Sequence, residues 1–343
     1  MATPSIATAP AAGTYPTGRA GVSRAWDGQA WSGPAVADPD APDFVWHRRP
    51  WAVPAHPLFW LTLVSIIVGC ALAALYLSSK ATPALWAAGL VGTGGPMVAF
   101  VVYVTRRTAL RQTIATGPWV LWAVIGAAVA LPFAYFVEGA LPLQGAWEGL
   151  AGPIEEVGKL LVPVALFLLG RYRDPRAGLA LALGVGALFG VVEGIEYVTL
   201  APESGLRVHH PDPVAHALSE YAPVIMVLQR AFMELVHPML VGFVVSVAWR
   251  YARVKGHFWL PLAGAWAAAA ILHALIDSAV GERSQVNSSL AAAAVVGAVV
   301  IVILIYPLVF RRAAAQLPPP DVLESNPPPW RPRIPPQGQG RQA

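Results

Sequence analysis

Charge is what this 343-residue chain has least of: only 12% of it is Asp, Glu, Lys or Arg, against 56% hydrophobic residues. With a mean hydropathy of +0.55, that is too little charge to solvate a globular surface. An ordinary water-soluble domain is excluded, and the lipid bilayer becomes the expected solvent. Cysteine is almost absent as well. The single Cys70 lies in an apolar run, which excludes a disulfide framework and a cysteine-based zinc site and leaves a small buried hydrophobe. The excess of basic over acidic residues, net +4, comes from arginines scattered beside apolar segments rather than from a basic stripe. Nucleic acid is therefore not an expected partner.

The first fifty residues are rich in Ala, Pro and Gly. They lack the charged start followed by an apolar stretch that marks a signal peptide, and they read as a disordered cytoplasmic tail. Trp26 and Trp31 within it are candidates for a partner motif. Residues 317–343, with Pro318, Pro319, Pro320, Pro327, Pro328 and Pro329, cannot sustain a helix and read as a second cytoplasmic tail, a candidate docking segment for another protein. Between the tails, residues 51–316 are expected to form an all-α membrane domain.

Apolar stretches of about 20 residues fall at Leu58–Ser79, Pro83–Thr105, Trp119–Val137, Leu150–Gly170, Ala177–Leu200, Ala222–Trp249, Phe258–Val280 and Ser288–Phe310, eight transmembrane helices in all. Arg48 and Arg49 precede the first. Arg106, Arg107 and Arg111 follow the second; Arg171, Arg173 and Arg176 the fourth; Arg250, Arg253 and Lys255 the sixth; Arg311 and Arg312 the eighth. The intervening connections hold only Lys80, Arg207 and Arg283. Every second loop is basic, as expected for eight spans with both termini cytoplasmic. Trp51, Trp60, Trp86, Trp119, Trp249 and Trp259 sit near span ends, where they read as interfacial anchors. Gly186, Gly190 and Gly194 form a small-residue stripe suited to close helix packing.

Ionisable residues inside spans cost roughly 2.5–3.5 kcal/mol each even on lenient insertion scales, so they mark function and face the bundle interior. Here they cluster in a region of about residues 150–280. The fourth span carries Glu155, Glu156 and Lys159, and the fifth Glu193, Glu196 and Tyr197. The sixth carries Arg230, Glu234 and His237, and the seventh His273 and Asp277. At about 1.5 Å per residue from the cytoplasmic end, Glu156, Glu193, His237 and His273 rise about 21, 24, 18 and 22 Å, a single layer. Two carboxylates and two imidazoles at one depth form the donor set of a divalent metal such as Zn²⁺.

Glu155 and Glu156 diverge by about 100° around a helix, so one is expected to serve as ligand or base while the other meets Lys159. Tyr197 shares a face with Glu193 and is a candidate donor to an oxyanion, or an interfacial tyrosine. Glu234 and His237 form a Glu-x-x-His pair that can present both groups to one metal. His273 and Asp277 are one turn apart, as two ligands or as ligand and orienter. His209, His210, Asp212 and His216 lie in an outer loop and read as solvated.

Glu155-Glu156-x-x-Lys159, Phe189-x-x-x-Glu193-x-x-x-Tyr197, the run from Arg230 to His237, and His273-x-x-x-Asp277 together resemble the PrsW family of intramembrane metalloproteases. That family is related to the CAAX prenyl protease and bacteriocin-processing membrane proteins. The resemblance covers about residues 152–278. It implies a multi-pass protease of the bacterial plasma membrane acting on a membrane-anchored protein, with an anti-sigma factor as the family's example. Glu155 or Glu156 would activate a metal-bound water, and Lys159 and Tyr197 would belong to the same catalytic group. Glu193, His237 and His273 would hold the metal with Asp277 assisting. Glu193 stands where the CAAX relatives have His, and Gly194 where many PrsW proteins have Asn. Two other classes share parts of this inventory. An ion-coupled transporter would show inverted repeats with broken helices in both halves, whereas all the ionisable spans here lie in the second half. A catalytically inactive membrane scaffold of the same fold need not differ in sequence.

Overall fold

The computed structural model describes residues 12–16, 22–26, 31–37, 57–107, 114–141, 150–206, 220–255, 257–280 and 288–305. The Pro-rich tail, the histidine-bearing outer loop, Trp51 and the side chain of Asp277 lie outside the described residues.

Among the described residues of the first tail, expected to be structureless, three short stretches are strands. Strands β1 (Gly13–Pro16), β2 (Val22–Trp26) and β3 (Trp31–Ala37) pair antiparallel in that order. Trp26 is in register with Trp31, and Tyr15 with Arg24. The sequence signal was present: Asp27-Gly28, a strong short hairpin cue, separates two segments that carry Val and Trp. Low complexity on either side obscured it.

Helices follow: α1 (Pro57–Ser79), α2 (Thr82–Arg107), α3 (Thr116–Ala140), α4 (Ala151–Leu168), α5 (Pro175–Leu206), α6 (Ala222–Met233), α7 (Val236–Lys255), α8 (Trp259–Val280) and α9 (Ser288–Ile305). The membrane domain is all-helical among the described residues, and six segments are long and apolar enough to cross a membrane. These are Pro57–Ser79, Thr82–Thr105, Thr116–Ala140, Pro175–Pro202, Ala222–Ala252 and Trp259–Ile276. Two of the eight expected spans fall outside that set. The fourth is the helix α4, which carries three charges of its own, and the eighth shows only a short apolar helix at Val296–Ile305.

The sixth span is not one continuous helix. Pro238 has no N–H to donate to the carbonyl of Glu234, and its ring crowds that carbonyl. α6 therefore closes on Glu234, whose N–H reaches the Arg230 carbonyl at 3.3 Å, and α7 begins at Val236.

α5 and the α6–α7 pair form the centre, each 78% buried over its apolar window, whereas α1 is 22% buried and faces outward. Lipid offers no hydrophobic drive between helices, so close approach of small residues must supply the packing. Gly186 and Gly190 serve this end against the α6–α7 break. A Cβ on Gly186 would stand 2.6 Å from the Pro238 Cα, and one on Gly190 would stand 2.9 Å from the Glu234 carbonyl oxygen. Gly194 turns to a different neighbour, the Thr93 side chain on α2, at 2.7 Å, which leaves no room for an asparagine there. We expect Gly186→Ala to cost roughly 1–3 kcal/mol by overpacking against backbone. The check is thermal unfolding in detergent, with Gly264→Ala, where nothing lies within 4 Å, as a neutral control.

Trp60, Trp86 and Trp259 are half or more exposed, as interfacial anchors should be. Trp249 differs. It is 1% exposed, donates from Nε1 to the Tyr172 carbonyl at 2.9 Å and lies against Gly178. It fastens α7 to the turn before α5. Trp119 makes a similar tie, donating to the Ala180 carbonyl.

Candidate functional site

Ionisable residues from each of α4, α5, α6, α7 and α8, with Glu234 at the α6–α7 break, meet in one buried cluster. Glu156, Lys159, Glu193, Arg230, Glu234, His237 and His273 are each at most 7% exposed, and the Glu155 side chain is 12% exposed. The Gly152 position lets α4 approach the His273 ring, which a Cβ there would meet at 2.9 Å. Gly190 does the same for the His237 ring.

Lys159 lies at the bottom of the cluster. Its Nζ donates to Glu155 Oε2 at 3.1 Å, to Glu156 Oε1 at 2.9 Å and to His237 Nδ1 at 2.6 Å. The expected division of labour, one glutamate on Lys159 and the other free of it, is corrected: the ammonium bridges both. An ammonium has only donors, so His237 Nδ1 accepts and the ring proton is assigned to Nε2. Glu156 Oε1 also pairs with His273 Nδ1 at 3.0 Å, and His273 Nε2 stands 3.6 Å from Glu155 Oε2.

On the other side of the His237 ring, Nε2 lies 2.9 Å from Glu234 Oε2 and 2.7 Å from Glu193 Oε2. The second approach is the shorter and has the distance of an ion pair. Arg230 Nη1 holds the opposite oxygens, Glu234 Oε1 at 3.1 Å and Glu193 Oε1 at 3.5 Å. Its guanidinium lies on the Tyr197 ring, 3.3 Å from the centroid. Phe189 packs beneath Lys159 at 4.1 Å and beside His237 at 5.4 Å.

Two triads with converging donor atoms result, Glu193/Glu234/His237 and Glu155/His237/His273, each with its atoms within 4.8 Å of one another. His237 belongs to both, and the His237 and His273 ring centroids are 5.0 Å apart. Of the residues expected from sequence, Glu155, Glu156, Lys159, Glu193, His237 and His273 are brought together. Tyr197 joins through its ring on Arg230. Glu193 and His273 do not share a triad. Glu234 joins His237 as the Glu-x-x-His spacing predicts, and Arg230, part of the run that resembles the family, gains a contact to Glu193. The signal for Glu234 was its i, i+3 spacing; no pattern along the chain pairs Arg230 with Glu193, 37 residues away.

The donor set suits a divalent cation. The cluster carries four carboxylates against Lys159 and Arg230, a deficit of two charges if both imidazoles are neutral. In a low dielectric such an imbalance is costly unless a cation or protons supply it. The two triads differ as hosts. Lys159 already holds Glu155 Oε2 and His237 Nδ1, potential donors on two members of the Glu155/His237/His273 triad. Arg230 touches only the rear oxygens of Glu193 and Glu234 and leaves both Oε2 atoms turned to His237 Nε2.

A buried carboxylate and imidazole cluster carried on apolar helices defines a membrane-embedded protein with a metalloenzyme-type donor set. The chain belongs to the PrsW family of intramembrane metalloproteases: the model for that family matches residues 115–306. The match runs from α3 through α9 and contains every residue of the cluster. No curated protein and no solved structure matches the chain.

Proposed function

We propose that this chain is an intramembrane metal-dependent endopeptidase of the bacterial plasma membrane that cleaves a membrane-anchored protein, an anti-sigma factor being the example the family resemblance suggests. In this reading the chain has eight spans with both termini cytoplasmic, supported by the alternation of basic loops. That alternation needs both α4 and α9 to cross. The single observation that carries the function is the buried convergence of potential ligand atoms from Glu193, Glu234 and His237, all within 4.8 Å of one another.

Glu193, Glu234 and His237 would hold the ion, Zn²⁺ in our reading, the proton on His237 Nε2 being released to solvent as the ion is taken up. When bound, such an ion supplies Lewis acidity, lowering the pKa of a water to about 7 and polarising a peptide carbonyl. Glu155 is the base in this account. It is the cluster's most accessible carboxylate, and its donor atom lies within 4.8 Å of one on His237. Glu155 takes the proton of the attacking water and returns it to the leaving amide nitrogen. Glu156 works from behind, fixing His273 through Nδ1 and balancing Lys159. Lys159 pairs with both carboxylates and holds His237 at Nδ1, so that Nε2 faces Glu193 and Glu234.

The test needs no known substrate. Membranes from cells expressing the protein are incubated with a chelator, without it, and with Zn²⁺ restored, and new protein termini are mapped by mass spectrometry. The account expects new termini within or beside membrane-spanning segments that vanish with the chelator and return with Zn²⁺. Termini indifferent to the chelator would overturn it.

A further inference from the structure

We infer that Arg230, its guanidinium carbon over the Tyr197 ring, is a positioning residue that sets the aim of two metal-binding carboxylates at once. This rests on the reading of Glu193, Glu234 and His237 as the metal triad. Glu193 is on α5 and Glu234 on the turn after α6, so no common backbone segment fixes their relative orientation. One guanidinium nitrogen, Nη1, touches Oε1 of both, at 3.5 and 3.1 Å. The other oxygen of each is thereby turned toward His237 Nε2, at 2.7 and 2.9 Å.

The Pro238 break makes such a clamp necessary. Glu234 sits where the helix ends, and its N–H bond to the Arg230 carbonyl is long, at 3.3 Å. A side-chain tie from Arg230 to Glu234 across this frayed turn substitutes for regular helix geometry. The Tyr197 ring in turn fixes the plane of the guanidinium, as stacking on an aromatic face does for Arg and not for Lys. Arg230 is 4% exposed, so it has no access to solvent that would make a looser arrangement cheap.

Partners that orient metal-binding side chains typically contribute 10–100-fold to metal affinity. The experiment is Zn²⁺ titration of the full chain in detergent, wild type against Arg230→Lys, Tyr197→Phe and Tyr197→Leu, with metal-free thermal unfolding recorded for each. Arg230→Lys keeps the charge and loses the planar fork. It is expected to weaken Zn²⁺ binding about 10–100-fold with a metal-free midpoint close to wild type. Tyr197→Leu should weaken binding in the same direction, and Tyr197→Phe, which keeps the ring, should not. Arg230→Lys binding Zn²⁺ like wild type, or losing affinity only in step with metal-free stability, overturns the positioning role alone. Wild-type protein that takes up no Zn²⁺ overturns the metal reading and this inference with it.

Discussion

Glu155→Gln is expected to slow the appearance of cleaved termini by about 10²–10⁴-fold, the usual worth of a positioned general base, while the protein stays folded and keeps its metal. The amide has the size of the carboxylate but cannot take a proton from water. Lys159 retains Glu156 at 2.9 Å and His237 at 2.6 Å, so the interior loses little. Glu155 is absent from the Glu193/Glu234/His237 triad, so metal content should be unchanged. The check is the rate at which wild-type-dependent termini accumulate in membranes, with metal measured on the same preparations. A Glu155→Gln variant cleaving at the wild-type rate, beside an inactive Glu156→Gln, would move the base to Glu156.

Lys159→Met acts on a different link, from packing to stability. Its ammonium is fully buried and is the cation for Glu155 and Glu156. Removing one partner of a buried ion pair typically costs about 3–5 kcal/mol, because the other charge is left without compensation. Here two carboxylates are left, so a large loss of folded protein in the membrane is expected. The triple variant Lys159→Met/Glu155→Gln/Glu156→Gln removes both charges along with the cation and should recover much of that stability without recovering cleavage. Thermal unfolding in detergent of the three forms reads the effect. A single Lys159→Met variant as stable as wild type would show that the carboxylates take up protons instead of relying on the ammonium.

Much of this site is legible in the sequence because helices convert spacing into geometry. Equal depth placed Glu156, Glu193, His237 and His273 in one layer, and all four are in the cluster. Depth does not reveal azimuth, however, and azimuth decides which donors share an ion. That is why His273 pairs with Glu155 and Glu156 and not with Glu193. The role of Arg230 depends on a contact to α5, and that of Lys159 on a contact to His237 across 78 positions. Neither leaves a trace in local spacing. Pro238 is visible in the sequence, but the close packing of α5 against the break it makes depends on Gly186 and Gly190, which spacing alone does not place there. Trp249 looked interfacial by position and is buried, because the Gly178 position opens room for its indole. The three short strands at Gly13–Pro16, Val22–Trp26 and Trp31–Ala37 run against a composition rich in Ala, Pro and Gly, with Asp27-Gly28 the one local turn cue.

The central claim, that the cluster holds a divalent ion, is tested most directly by metal content. Full-length protein purified without chelator, and a His237→Ala/His273→Ala variant prepared in parallel, are assayed by mass spectrometry. His237 is common to both triads, so the account predicts near-stoichiometric metal in the wild type and none in the variant. A wild-type protein without metal, or a variant that retains it, would contradict the account.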